Sequence, residues 1–173
     1  MPLPDDFKNG MRRLAAGVSL ITTIDDNFRY GVIATAVTSV CAAPPTLLIC
    51  INRSASIHDH LLRAGCFCVN VLSADQSAIA TRFATPAARE TRFDTGKWSV
   101  RETGAPALIG ACVSFDCRTA HHLEHGTHTV IFGEIRDVWI QQSMCPLTYH
   151  EGQFGTHAEL TSAKLSANSH QRL

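Results

Sequence analysis

The stretch from Gly31 to Asn52, GVIATAVTSVCAAPPTLLICIN, constrains the fold more than any other part of this 173-residue chain. Its first half carries almost no bulky side chains, while its second half is an apolar run typical of a buried strand. Pro44 and Pro45 lie between the halves, where they remove two backbone donors and impose an extended turn. The stretch therefore predicts two strands joined by a turn.

The small-residue half also carries hydroxyl groups, at Thr35, Thr38 and Ser39. Small side chains let a flat ligand approach the backbone, and hydroxyls can bind its polar edge. A buried β-hairpin whose small residues serve only packing explains this stretch equally well. The stretch alone leaves both interpretations open.

Composition indicates one globular domain, which we expect over residues 1–160, followed by a polar tail over residues 161–173. Lys plus Arg equals Asp plus Glu, 15 each, so no overall field attracts nucleic acid or an anionic membrane. No apolar run approaches the ~20 residues of a membrane span. The N-terminus carries Asp5 and Asp6 where a signal peptide would be positive, and seven cysteines make an odd number. We therefore expect a reduced, cytoplasmic protein that binds neither nucleic acid nor membrane.

Strand patterns dominate the rest of the chain, with helices inserted between them. A first helix is expected from Pro4 to about Ala15, ended by Gly17. A second is expected over Ile57–Ala64, capped by Ser56, and a third from the capping box at Ser73 to about Phe83. Residues 84–106 form an irregular loop anchored by Phe93 and Trp98. The expected strands outside the opening stretch are Val18–Ile24, Phe28–Val32, Phe67–Leu72, Leu108–His121 and Thr127–Ile140. This order predicts a mainly β fold, an antiparallel barrel rather than a doubly wound sheet.

Histidines near the last hairpin raise the question of a metal site. His121, His125 and His128 have the spacing of zinc ligands on a helix, but a strand-turn-strand segment is expected not to place them on one face. We therefore predict no metal site. His128 opens the outgoing strand and can point from the barrel rim toward a pocket, although the residues alone favour a surface hairpin histidine.

The sequence lacks the motifs that are typical of several enzyme classes. It contains no G-x-S-x-G, no G-x-G-x-x-G and no Walker A loop. Neither a serine hydrolase elbow nor a Rossmann turn for a nicotinamide cofactor is therefore expected.

Seven short motifs occur in an order that resembles the short-chain flavin reductase family, the reductase components of two-component flavin monooxygenases. They span about residues 7 to 156. The motifs are Phe7-x-x-x-Met11-x-x-Leu14-Ala15-x-Gly17-Val18, Gly31-x-x-Ala34-Thr35-Ala36-Val37-x-Ser39-Val40 with Pro44-Pro45, Asn52-x-Ser54-x-Ser56, Phe67-x-Val69-Asn70-Val71-Leu72, Ala80-x-Arg82-Phe83-Ala84, Glu124-x-Gly126-x-His128 and Tyr149-x-x-Gly152-x-Phe154-Gly155.

The resemblance implies a split β-barrel of Greek-key type, a homodimer, and a flavin, FMN or FAD, held near the dimer interface. NADH or NADPH would donate the hydride, and a flavin-dependent monooxygenase would receive the reduced flavin. Hydride transfer needs alignment rather than a protein acid or base, so the lack of a catalytic dyad is consistent with this chemistry.

The resemblance also assigns cofactor-binding residues. Thr127 replaces the aspartate that precedes the histidine in the family, which leaves the choice of nicotinamide open. The isoalloxazine ring would be lined by Thr35, Ala36, Val37, Thr38 and Ser39; the ribityl and phosphate region by Asn52, Ser54 and Ser56 with the N-terminus of the following helix; the phosphates would be approached by Arg82, Phe83 and Ala84; and the nicotinamide side by His128.

Two other functions are compatible with the same barrel. One is a non-catalytic flavin- or haem-binding protein, which would use the histidines for haem. The other is a purely structural dimeric barrel. Cofactor absorption would separate the three.

Overall fold

The computed structural model describes residues 4–142 and 144–159. The predicted tail over residues 161–173 lies outside the described residues. The helices are α1 (Pro4–Arg12), α2 (His58–Ala64) and α3 (Ser77–Ala84). The strands are β1 (Ala16–Gly17), β2 (Ser19–Asp25), β3 (Phe28–Ala34), β4 (Val37–Ala42), β5 (Pro45–Asn52), β6 (Cys66–Val71), β7 (Trp98–Val100), β8 (Pro106–Leu108), β9 (Val113–His125), β10 (His128–Ile140), β11 (Leu147–His150) and β12 (Gln153–Thr156).

A seven-stranded sheet in the order β3-β2-β6-β9-β10-β5-β4 forms the body of the molecule, and every pairing in it is antiparallel. A three-stranded sheet, β1-β11-β12, and a two-stranded sheet, β7-β8, flank it. The predicted mainly β architecture with inserted helices is therefore confirmed. The two strands predicted around the prolines are β4 and β5.

The central strand β6 is buried on both faces, which explains its apolar composition. Phe67 and Val69 pack into the larger core with residues of β2, β5 and α2, while Cys66 and Cys68 face a smaller cluster. Asn70, fully buried, donates to the carbonyl of Leu20 at 3.1 Å, and its Oδ1 accepts from the amide of Leu108 at 2.7 Å. A buried amide that is bonded in this way ties neighbouring strands together instead of destabilising the core.

Two predicted helix boundaries were wrong. Helix α1 ends at Arg12, because Ala16 and Gly17 pair with Tyr149 and Thr148 instead of extending the helix. Helix α2 has Ile57, not Ser56, at its N-cap, and no side chain caps it. Its end was predicted correctly, since Gly65 adopts a left-handed conformation with φ of 63° and closes the helix.

The β9–β10 hairpin turns through Gly126 and Thr127, with φ of 56° at the glycine. The expectation that its histidines lie on different faces was wrong: His125 lies opposite His128 and His121 opposite Phe132, so the three histidines share a face. The two-residue turn and the two-residue period of a strand produce this arrangement. Even so, within residues 4–142 and 144–159 no group of three His, Cys, Asp or Glu side chains is placed to hold a metal ion.

The loop over residues 84–106 is less irregular than predicted. It contains two 3₁₀ turns and the strand β7. Phe93 and Trp98 anchor it as expected, because both pack on Phe83, with the Phe83 and Phe93 ring centres 5.1 Å apart. Among the helices that the structure describes, none is long and apolar enough to cross a bilayer.

Candidate active site

The crossing between β3 and β4 places the opening stretch at a seam of the barrel, where β3 at one end of the sheet approaches β5. Thr35 and Ala36 form this crossing. The carbonyl of Thr35 accepts from the amide of Val37, and the carbonyl of Ala36 accepts from the amide of Cys50 on β5, both at 3.1 Å. The crossing is therefore held against β5 by the backbone, and its small side chains leave open space above it.

A cavity of 260 Å³, named here the seam cavity, opens at this crossing. Its polar side chains come from facing strands, because Asn52 of β5 lies directly opposite His128 of β10. The full lining is Val32, Ile33, Ala34, Thr35, Ala36, Cys50, Ile51, Asn52, Ala55 and His128. No carboxylate is among these residues.

A second cavity of 410 Å³, named here the flank cavity, shares Thr35 and Ala36 with the seam cavity. Its remaining lining is Met11, Arg12, Leu14, Ala16 and Tyr149. The amide of Glu151 donates to the carbonyl of Arg12 at 3.0 Å, which ties the end of α1 to the β11–β12 hairpin. The crossing thus lines both cavities, of which the seam cavity is mixed in polarity and the flank cavity is mostly apolar.

The loop after β5 is built around Asn52. Its Oδ1 accepts from both the amide and the hydroxyl of Ser54, at 2.9 and 2.8 Å. This turn leaves the Nδ2 amide group of Asn52 as the part of the side chain that can serve a ligand. Across the seam cavity, the hydroxyl of Thr127 lies 2.9 Å from Nδ1 of His128 and orients that ring.

The structure brings four of the sequence-predicted site residues to the two cavities: Thr35, Ala36, Asn52 and His128. Val37, Thr38 and Ser39 lie on β4, and Ser54 and Ser56 lie in the loop after β5, outside both linings.

The segment from Arg82 to Ala84 has a different environment from the one that the resemblance implies. The Arg82 guanidinium donates to the carbonyl and hydroxyl of Thr91, at 3.0 and 2.8 Å. Phe83 is buried, and its ring fills the space that a Cβ at Gly31 would occupy. Ala84 is exposed. Phe83 therefore supports β3 from behind the seam cavity.

Sequence reasoning missed Cys50 and Ala55 in the seam cavity, and Met11, Leu14 and Tyr149 in the flank cavity. Met11, Leu14 and Tyr149 belong to motifs that carry the family resemblance, but the resemblance assigns no role to them. Strand alternation was the available signal for Cys50, because Asn52 and a residue two positions earlier must share a face.

The cysteines of the core offer no nucleophile. Burial, and secondarily the charge of Asp116, raises the pKa of Cys117 to about 12. Burial likewise raises the pKa of Cys68 well above its ordinary value. A thiol so rarely ionised is inert at neutral pH.

Residues 11–158 match the family described as "Flavin reductase like domain". The chain belongs to this family. One relative, the FMN reductase (NADH) RutF of Stutzerimonas stutzeri, is 43% identical to this chain over 145 residues, which cover 84% of this chain and 83% of that protein. The RutF of Agrobacterium fabrum is 40% identical over 149 residues, covering 86% of each. The resemblance inferred from the seven motifs is confirmed.

Solved structures agree with this assignment. BorF, the flavin reductase component of a bacterial two-component tryptophan halogenase, is 30% identical with a TM-score of 0.82, covering 90% of this chain and 99% of that one. The NADH:FAD oxidoreductase SgcE6 of Streptomyces globisporus, solved with NAD and FAD fragments, is 29% identical with a TM-score of 0.83, covering 91% and 96%. The predicted split-barrel fold is confirmed by these neighbours.

The residues present fit a flavin. The flank cavity, at 410 Å³, lies within the range of about 300–1,000 Å³ typical of small-molecule sites, and the seam cavity adjoins it with a further 260 Å³. The small crossing residues offer a surface for a flat ring, and Asn52 and His128 offer polar groups for its edge.

Proposed function

We propose that this protein is an NADH-dependent flavin reductase that uses FMN as the flavin. The observation that carries the proposal is the small-residue crossing at Thr35 and Ala36, which lines both of the adjoining cavities. Such a crossing leaves room for two flat rings to stack, which is the alignment that hydride transfer requires. The relatives named FMN reductase (NADH) support the choice of both substrates.

In this mechanism the protein supplies position. A bound flavin accepts a hydride from the nicotinamide, and this chemistry belongs to the cofactors. Asn52 would donate through Nδ2 to the polar edge or the ribityl chain, and Ala36 would keep the backbone close to the ring. His128 would contact the nicotinamide from the opposite strand. We also keep as proposed cofactor-binding positions eight residues that line neither cavity: Val37, Thr38, Ser39, Ser54, Ser56, Arg82, Phe83 and Ala84.

The deciding experiment is oxidation of NADH or NADPH followed at 340 nm, an absorbance specific to the reduced nicotinamide, with FMN, with FAD or without flavin. We expect turnover only with added flavin, fastest with NADH and FMN. Turnover with FAD but not with FMN would contradict FMN as the flavin, and turnover with NADPH but not with NADH would contradict NADH as the hydride donor. No turnover with any pair, from folded protein, would contradict a reductase.

A non-catalytic cofactor-binding barrel is the alternative function, and its support is the set of histidines on one face of the β9–β10 hairpin. The absorption spectrum separates haem binding from flavin binding, and NADH turnover separates a reductase from a non-catalytic flavin-binding barrel. Haem added to the protein would produce an intense Soret band, whereas FMN would give the flavin spectrum without one.

We also propose a homodimer, a partner monooxygenase, a single domain over residues 1–160 and a cytoplasmic location. Exposed apolar side chains on α1 and β12, among them Phe7, Met11 and Phe154, support the dimer. BorF is the reductase component of a two-component system, which supports an oxygenase that accepts the reduced flavin. All seven cysteines, each within the described residues, are free thiols, as in reducing compartments.

A further inference from the structure

A buried histidine that the proposed reaction does not use lies directly behind the seam cavity. His58, the first residue of α2, is 5% exposed. Its Nε2 lies 2.8 Å from the hydroxyl of Thr129, which is fully buried on β10. Its Nδ1 lies 2.7 Å from a carboxylate oxygen of Asp59. The ring therefore bridges two elements that come from distant parts of the chain.

The direction of these hydrogen bonds follows from the partners. The bond from His58 keeps the pKa of Asp59 below its ordinary value, so this side chain is a carboxylate that can only accept. Nδ1 of His58 must then donate, and Nε2 forms the hydrogen bond with the hydroxyl of Thr129. Every polar atom of the ring is satisfied, which holds the ring in one orientation.

Both ends of this bridge are adjacent to residues of the seam cavity. The amide of His58 donates to the carbonyl of Ala55 at 2.9 Å, and the amide of Ala55 donates to the carbonyl of Asn52, also at 2.9 Å. At the other end, Thr129 directly follows His128 in β10. Backbone pairing of β5 with β10 already fixes Asn52 opposite His128. The bond between His58 and Thr129 adds a second tie, which fixes the Ala55 end of the loop against the strand that carries His128.

We propose that His58, acting through Thr129, is a positioning residue that holds the loop after β5 at its working distance from His128. The inference rests on the proposed function, because the ligand it serves is the flavin of that reaction. His58 itself lines neither cavity, so its effect on the flavin passes through the loop and the strand.

The test uses FMN binding, followed by quenching of flavin fluorescence, together with the steady-state constants for FMN. Thr129→Val removes the hydroxyl with little change of shape, and Thr129→Ser keeps the hydroxyl. We expect Thr129→Val to weaken FMN binding about five- to tenfold, the size expected for one buried hydrogen bond, and Thr129→Ser to restore most of it. The Michaelis constant for FMN should rise in parallel, with kcat within about twofold of the original.

His58→Phe should reproduce the effect of Thr129→Val, and the two changes combined should be no worse than either one. His60→Phe is the matched control, since His60 lies on the same helix but bonds to Asp25, away from the cavity. We expect its FMN affinity to be unchanged. Melting curves establish that each variant is folded, and the Thr129 pair decides the question where His58→Phe does not fold.

Two results would overturn the inference. Unchanged FMN affinity in Thr129→Val is one, and equal losses in Thr129→Val and Thr129→Ser are the other. In a variant whose melting curve shows that it is folded, a fall in kcat with an unchanged Michaelis constant for FMN would also contradict a positioning role. Because FMN binding is measured without turnover, an inactive original protein would refute the proposed function while this comparison still stands.

Discussion

His128 is the titratable group with the most direct access to the proposed nicotinamide position, since it lines the seam cavity opposite Asn52. We predict that His128→Ala raises the Michaelis constant for NADH about two- to tenfold, the equivalent of one net hydrogen bond. The constant for FMN should change less. Steady-state kinetics with each substrate varied in turn measures both, and equal changes would place His128 outside the nicotinamide side.

At the residue scale, the sequence was sufficient to predict the side chains that a short motif places on the cavity wall. Thr35, Ala36, Asn52 and His128 are all in this group. Arg82 shows why the rest could not be predicted: its bonds to Thr91 depend on how residues 85–95 fold back, which no local pattern encodes. Met11 and Tyr149 reach the flank cavity from opposite ends of the chain, and only tertiary structure brings them together.

Among the elements, β10 depends on a glycine at its closest approach to the core. A Cβ at Gly133 would lie 2.4 Å from the Phe67 ring and 2.9 Å from the Cβ of Cys117. Phe67 and Cys117 are fully buried, so neither can move freely. We predict that Gly133→Ala lowers the free energy of unfolding by about 1–3 kcal/mol, the usual cost of overpacking. Urea unfolding measures this change. Gly10→Ala, where a Cβ meets nothing within 4 Å, is the control and should not be destabilised.

Helix α2 is held to the end of β2 by a charged cluster around Asp25. Hydrogen bonds from His60, and then from Arg63, keep the pKa of Asp25 below its ordinary value. A lowered pKa in the folded state stabilises the protein at pH values above the unfolded pKa, about 3.9, and this stability is lost as the pH falls through the folded value. We predict that Asp25→Asn lowers the melting temperature at pH 7 and that the difference shrinks below about pH 4.

Melting curves of the two proteins between pH 7 and pH 3 provide the measurement. Asp26→Asn is the neighbouring control and should melt like the original protein throughout. A difference between Asp25→Asn and the original that persists unchanged at pH 3 would show that the carboxylate charge is not its source.

Element prediction succeeded where a local signal coincided with the tertiary structure. Gly65 ended α2 and the capping box at Ser73 preceded α3, because both act through neighbouring backbone groups. It failed at the end of α1, where Ala16 and Gly17 pair with a strand more than a hundred residues away. The hairpin histidines differ from this case, because their common face follows from a two-residue turn and the two-residue period of a strand, which are local features of the sequence.

For the whole molecule, the exposed apolar surface of α1 is the feature that a single chain does not explain. Phe7 and Met11, four residues apart on one face of α1, are 64% and 50% exposed, and Leu14, just after the helix, is 60% exposed. Tyr149 and Phe154, with ring centres 5.7 Å apart, add to the apolar surface on the adjoining hairpin. A second copy covering this face would bury it and close the flank cavity, which Met11 and Tyr149 line.

We predict that Phe7→Asp converts a dimer, of about twice the 18.8 kDa chain mass, into a monomer. Phe7 is suited to this test because it lies outside both cavity linings, so the change alters assembly before it alters ligand contacts. Phe28→Asp is the matched control, since Phe28 is equally exposed, at 68%, but begins β3. Light scattering after gel filtration gives the masses. A dimer that survives Phe7→Asp but dissociates in Phe28→Asp would move the interface to the β3 end of the sheet.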